Sequence, residues 1–241
     1  FAKAINEVEN AKLTSIASLS KNKNFIFGEK FNIEKNYQFN SYEELINCEE
    51  IDAVYVATLN NKHADLIIKI AKAKKGILCE KPMTLTETES KQVFNQLNKS
   101  KVFFLEAIAY RSHPQTIEII NRISNNEIGD VIKVESSFGF RVNQILKFKP
   151  RHRLFNKKLG GGAINDIGCY PVSLAVLIAR LYQNKNKATL YSITDVYRKN
   201  NFRGTDDEGR LKINFHNLFE ADLEISIKKN LIKPTIIYGS K

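Results

Sequence analysis

The 241-residue chain has no run of about 18 apolar residues, so no transmembrane helix is expected. Its opening, FAKAINEVEN, lacks a basic-then-apolar signal pattern, so nothing points to export and a cytoplasmic location is expected. Cysteine is scarce. Cys48, Cys79 and Cys169 are far apart, odd in number and without metal-ligand spacing. That argues against a disulfide framework and a metal centre, and fits reduced thiols. There is no low-complexity segment, no internal repeat, and no basic run interleaved with aromatics. The last absence bears on the net charge of +11, because the lysines are spread along the whole chain among asparagines. Three readings stay open: solvated surface lysines, an anionic cofactor, or nucleic acid. The expected partners are a small molecule and neither nucleic acid nor membrane. Hydrophobic residues make up 43%, enough for a folded core in one large or two ordinary domains.

What is present changes character along the chain. In the first half, strand and helix patterns alternate. AKLTSIAS (11–18) is a short β-branched run, and SYEELINCEE reads as a helix with Ser41 as N-cap and Glu44 at capping-box spacing. IDAVYVAT (51–58) is nearly continuous in apolar residues, as in a strand covered on both faces of a parallel sheet. KHADLIIKIAKAKK puts Leu66, Ile67, Ile70 and Ala71 on one helical face, with Gly76 as the expected stop. ILC (77–79), TETESKQVFNQLNKS and KVFFLEAIA (101–109) continue as strand, helix and strand. The second half turns to period two: Ile132, Val134, Ser136, Phe138, Phe140; Leu211, Ile213, Phe215; and Phe219, Ala221, Leu223, Ile225, Ile227. That pattern predicts half-buried antiparallel strands, interrupted by one helix from about Tyr170 to Leu181. Domains of 1–109 and 110–241 follow, an α/β parallel sheet and then an α+β unit with an open, mainly antiparallel sheet.

Two short stretches carry the chemistry. In ILCEKPMTLTETE a strand ends at Glu80-Lys81-Pro82. The proline stops the strand and disfavours a helical Lys81, which is expected to stand extended at the strand's carboxyl end, where open α/β sheets bind ligands. A solvated loop lysine is the plain alternative. In LGGGAINDIGCYPVSLAVLIARL, Gly160-Gly161-Gly162 allows close backbone approach, and Asp166 precedes Tyr170 by one helical turn. A flexible turn, and a tyrosine hydroxyl bonded to Asp166 for structural reasons, are the alternatives.

The order EKP, EAIAYR, an extended meander, then GGGAINDIGCY resembles the glucose–fructose oxidoreductase / inositol dehydrogenase / MocA (Gfo/Idh/MocA) family. SYEELINCEEIDAVYVATLNNKHADLIIKIAKAKKGILCEKPMTLTETE looks nearest to its dimeric dihydrodiol dehydrogenase and NADP-dependent D-xylose dehydrogenase branch. The resemblance covers essentially the whole chain. It implies a Rossmann-type first domain and an NAD(P)-dependent hydride transfer to or from a sugar, polyol or related hydroxy/carbonyl compound. It assigns Lys81, Tyr170 and Asp166 to catalysis, with Tyr170 as general acid/base and Asp166 on the substrate. A free phenol ionises near pH ~10, and a neighbouring ammonium favours the phenolate, so a lysine beside the tyrosine suits proton exchange with the substrate oxygen.

The same resemblance places Thr58, Asn60, His63, Glu80 and Lys81 against the cofactor, and Arg111, Arg153 and Asp166 near the substrate; Glu106 falls where the pocket closes. Structural or surface roles remain open for His63, Glu106, Arg111 and Arg153. Ser18 stands near the position where NAD enzymes carry an acid, followed by Lys21 and Lys23, which favours NADP(H) over NAD(H). Leu19 replaces the arginine common there. No G-x-G-x-x-G occurs, Phe1 reads as the body of the first helix, and IIYGSK ends inside a sheet pattern, so both ends are expected to be truncations. No metal is expected. A homodimer or higher oligomer through the second-domain sheet is. The alternative to an enzyme is a non-catalytic cofactor-binding sensor or structural relative of the same fold.

Overall fold

The structure, a computed structural model, describes residues 1–149, 151–182 and 190–241. It packs as two units. One holds Phe1–Thr58, Lys62–Glu80 and Thr86–Glu106; the other holds Leu59–Asn61, Lys81–Leu85 and Ala107–Lys241. Two short loops therefore cross the 109/110 division drawn from sequence. Their ties explain it: Asn60 and Asn61 donate to the carbonyls of Gly160 and Lys158, each at 3.1 Å.

The first unit runs α1 (Ala2–Ile5), β1 (Ile16–Ala17), α2 (Lys21–Phe31), β2 (Gln38–Phe39), α3 (Tyr42–Asn47), β3 (Ala53–Val56), α4 (His63–Lys72), β4 (Gly76–Cys79), α5 (Glu87–Ser100) and β5 (Phe104–Glu106). Every strand pair is parallel: β1 with β2, and β3-β4-β5 with Val54 opposite Ile77 and Ile77 opposite Phe104. Local chemistry sets the helix starts. Ser41 Oγ accepts the Glu44 N–H at 3.1 Å while the Glu44 carboxylate accepts from Asn40; Thr86 Oγ1 accepts the Glu89 N–H at 3.1 Å. The expected α4 stripe is buried, Ile67 and Ala71 completely, each large side chain contributing on the order of 2 kcal/mol.

Three expectations need correcting. The strands are short: 11–18 yields two strand residues, 51–58 four and 101–109 three. β3 is not covered on both faces. It lies at the edge of its ladder, with Ala53 exposed and only Val56 fully buried. Gly76 does not stop α4: the helix ends at Lys72, Lys74 adopts the left-handed conformation (φ 62°), and Gly76 opens β4.

The second unit contains α6 (Pro114–Ser124), β6 (Val131–Gly139), α7 (Cys169–Leu181), β7 (Tyr191–Asn200), β8 (Asp206–Phe215), β9 (Phe219–Ser226) and β10 (Ile236–Gly239). The sheet order is β10-β6-β9-β8-β7. All neighbours are antiparallel except β6 and β9, which run parallel, so the sheet is mixed. The period-two residues of β8 and β9 form the inner face, where Ile213, Phe215, Ala221 and Leu223 join Ala175, Ile178 and Ala179 of α7 in one core. In β6 the pattern holds only at Val134 and Ser136; Ile132, Phe138 and Phe140 are exposed, and Val131 is buried beside a register shift in β10. The stretch Lys157–Leu181, which ends in α7, is long and apolar enough to cross a membrane by length and composition alone, but half of its apolar window is buried inside the protein, as befits a core segment. The Lys81–Pro82 peptide is cis.

Candidate active site

The second unit brings Lys81, Asp166, Arg153 and Tyr170 together. α7 is entered through a π-helical turn, Ile164–Gly168, so the α-helical spacing assumed for Asp166 and Tyr170 is interrupted there. The glycines make room for that entry. Gly160 (φ 75°) lies against Leu85 and Asn60. Gly162 (φ 120°) lies so close to Asp206 that a Cβ would fall 2.4 Å from its Oδ1. Asp206 Oδ2 accepts the Ile164 N–H at 2.6 Å and so pins the first residue of the π turn. Burial raises the Asp206 carboxyl above its ordinary range, partly opposed by that amide.

Asp166, 7% exposed, meets two cations. Lys81 Nζ donates to its backbone carbonyl and to Oδ1, the latter at 3.3 Å; Arg153 Nη1 donates to the same Oδ1 at 3.1 Å. Two cations around one carboxylate leave the cluster with one net positive charge. Lys81 Nζ also lies 5.3 Å from the centre of the Tyr170 ring, a cation–π contact. The Tyr170 ring is half-buried, set edge-on to Phe138 at 5.3 Å and tilted against Tyr110 at 6.2 Å. Below it, Tyr110 Oη and Ser173 Oγ are 2.6 Å apart, and Arg111 donates to the Ser173 carbonyl at 3.2 Å. Arg111 thus serves the α7 backbone rather than the Asp166 cluster. Sequence reasoning missed Phe138, Tyr110, Ser173 and Asp206. Tyr110 lay in the EAIAYR motif; the others carry no local signal.

The remaining residues lie mostly in the first unit. Ser18 Oγ accepts the Ser20 N–H at 3.2 Å just before α2, whose N-cap Ser20 makes no side-chain cap; Lys21 and Lys23 are exposed in its first turn. Thr58 ends the β3 turn with its buried Oγ1 unpartnered. His63 is fully buried, its Nε2 3.2 Å from the Thr58 carbonyl, so it supports that turn from beneath. Glu80 accepts from Tyr55 Oη at 2.5 Å, and burial with this bond pushes the tyrosine's pKa up. An uncapped helix start with two lysines and a serine fits an anionic group, and an orphaned hydroxyl at a strand's carboxyl end fits a polar ligand. These residues would therefore suit a dinucleotide.

Residues 1–107 match the oxidoreductase family with an NAD-binding Rossmann fold, and residues 117–241 match the GFO/IDH/MocA C-terminal domain. The chain belongs to the Gfo/Idh/MocA oxidoreductase family. Among its relatives, trans-1,2-dihydrobenzene-1,2-diol dehydrogenase of Danio rerio is 36% identical over 63% of this chain and 43% of its own length. The D-xylose 1-dehydrogenase (NADP(+)) of Hypocrea jecorina is 34% identical over 56% of this chain and 36% of its own. The chain spans less than half the length of these curated relatives. The fold matches the aldose-aldose oxidoreductase of Caulobacter crescentus with a TM-score of 0.86 at 22% identity, over 100% of this chain and 70% of that one. A 3-ketoreductase from Actinomadura kijaniata, solved with NADP, matches at 0.83 and 22%, over 99% and 69%. The expected fold class, parallel first domain and mixed second sheet, is borne out.

Proposed function

We propose that this protein is an NAD(P)-dependent oxidoreductase, NADP-preferring, that acts on a sugar, polyol or related hydroxy/carbonyl compound. The observation that carries this reading is the Lys81 ammonium held by Asp166 and laid against the Tyr170 ring. When bound, the nicotinamide supplies or receives the hydride. The chain's part is the proton. Tyr170 exchanges it with the substrate oxygen through Oη, and Lys81 stabilises negative charge on either oxygen. Asp166 and Arg153 orient substrate hydroxyls, the first as acceptor and the second as donor. Arg111 acts on the substrate side only through the α7 backbone.

For the cofactor, Ser18 and Lys21, with Lys23, suit a ribose 2′-phosphate, whereas an acid at Ser18 would repel one. Thr58 and Glu80 of the first unit, and Asn60 and Lys81 of the second, are each assigned to the cofactor, and His63 holds the Thr58 turn. Relatives named for xylose and dihydrodiol substrates support a carbohydrate-like compound, and we place its turnover in the cytoplasm. The open second sheet at its β7 edge, where Ile193, Val196 and Tyr197 are exposed, is the surface we assign to a homodimer. The test is separate titration of NADPH and NADH, following nicotinamide fluorescence. Tight NADPH and weak NADH binding supports the reading. NADH binding alone overturns the NADP assignment, and binding of neither overturns the dehydrogenase.

A further inference from the structure

The front of α2, with Ser18 before it and Lys21 and Lys23 on it, is fastened in an unusual way. A surface helix is ordinarily docked by an apolar stripe. Of residues 21–26, however, Asn24 alone is buried, at 2% exposed, while Phe25 and Ile26 are more than half exposed. The half-buried aromatics of α2, Phe27 and Phe31, come later in the helix. Its front is held by one amide instead. Asn24 Nδ2 donates to the Ser18 carbonyl at 3.0 Å and to the Phe39 carbonyl at 2.5 Å, and lies 3.4 Å from Asn40 Oδ1. Ser18 follows β1 and Phe39 ends β2, so the amide ties α2 to the carboxyl ends of both strands. Asn24 Oδ1 is buried without a partner. An unpaired buried acceptor costs about 1–3 kcal/mol, which an apolar side chain would avoid, so the donors are what this position uses.

We infer that Asn24 is a positioning residue for cofactor selectivity: by bridging the ends of β1 and β2 it fixes Ser18, Lys21 and Lys23 as one preformed site for the ribose 2′-phosphate. Holding the Ser18 carbonyl fixes the peptide between Ser18 and Leu19, and with it the approach of the Ser20 N–H to Ser18 Oγ at 3.2 Å. The hydroxyl, used there as an acceptor, keeps its own hydrogen for a phosphate oxygen. The Asn24 N–H in turn donates to the Ser20 carbonyl at 3.0 Å, and the Ser18 N–H to the Phe39 carbonyl at 3.2 Å, so the turn and the helix start move as one piece with Asn24.

The inference rests on the cofactor assignment above, and its test separates the two. Two variants of the full chain are used. Asn24→Ala deletes the amide and suits a helix better than asparagine, so a loss cannot be assigned to helix propensity. Asn24→Asp keeps the shape and, ionised, donates nothing. The first readout needs no cofactor: hydrogen exchange of the Ser18 and Ser20 amides by NMR, with the Ile67 amide of α4 as internal reference. Exchange of both serine amides should be roughly tenfold faster in each variant, with Ile67 unchanged. The second is titration with NADPH and with NADH. The ratio of NADPH to NADH affinity should fall roughly tenfold, because a phosphate site formed only part of the time binds in proportion to that fraction. A role confined to stability would lower the urea midpoint and leave that ratio alone. Unchanged exchange overturns the inference, and so does an unchanged ratio in variants that exchange faster. If Asn24→Asp does not fold, Asn24→Ala alone decides in the same way. Wild type that binds NADH alone overturns it too. Wild type that binds neither nucleotide loses the proposed function, and exchange alone then decides: faster exchange keeps Asn24 as the fastener of this turn, and equal exchange removes it.

Discussion

Lys75 and Lys81 are both lysines held by backbone carbonyls, and they do different things. Lys75, 8% exposed, donates to the carbonyls of Cys48 and Ile51 at 2.7 and 2.6 Å and closes the turn between α3 and β3. No acidic side chain is bonded to it and no ring is recorded over it among the described residues. Lys81 has one carbonyl, one carboxylate shared with Arg153, and the face of Tyr170. A buried ammonium satisfied by carbonyls alone is a strut. The role proposed for Lys81 would make a reagent of the same group, set between a shared carboxylate and a phenol ring in a cluster with one net positive charge.

The strongest way to break this contrast is to remove each ammonium in turn. Lys81→Met should lower kcat by about 10²–10⁴, and Tyr170→Phe by a similar factor. Tyr170→Phe keeps the ring contacts with Phe138 and Lys81, so cofactor affinity should be unchanged, as fluorescence titration can show. Turnover surviving in Tyr170→Phe would remove that residue from the mechanism. Next in size are the glycines. Gly162→Ala must place a Cβ at φ 120° and 2.4 Å from Asp206 Oδ1, and should cost more than about 2 kcal/mol in urea unfolding. Gly204→Ala, at φ 75° with nothing within 4 Å, should cost only about 1 kcal/mol. Equal losses would mean that the close approach to Asp206 contributes nothing.

Lys75→Met comes third. It leaves two carbonyls without their charged donor and should cost about 1.5–3 kcal/mol of stability with kcat unchanged. A fall in kcat without a shift of the urea midpoint would reverse the roles given to the two lysines.

The same contrast explains what the sequence discloses. Ser41 with Glu44, the stripe Leu66-Ile67-Ile70-Ala71 and the alternation of β9 are legible because each is a local pattern with a fixed period. Lys81, Asp166 and Tyr170 could be named because each sits in a short motif. Their arrangement could not be read. It depends on Lys81 reaching a backbone carbonyl 85 residues away and on a π turn that breaks the helical spacing. Asp206 was invisible for the same reason: its partner, the Ile164 amide, is 42 residues away. For Arg111 the sequence left a substrate and a structural role open, because an arginine in a motif looks the same in either; in the structure it bonds the Ser173 carbonyl. Side chains that bond to distant backbone leave no periodic trace.

Asp206 also gives the smallest and most selective test. Its carboxyl is raised by burial, so the folded state holds its proton more tightly than the unfolded state does. The folded form is then favoured below the ordinary carboxylate pKa of 3.8, and that advantage is lost as pH rises through the folded value. Asp206→Asn removes the titration and retains an oxygen acceptor for the Ile164 amide. The stability difference between variant and wild type should therefore move in favour of the variant between pH 4 and pH 7, while the pH dependence of every other carboxylate cancels. A difference that is flat with pH would mean that Asp206 is not held against its charge. The π turn would then be pinned by an ordinary carboxylate, and the strain at Gly162 would have to be assigned to backbone conformation alone.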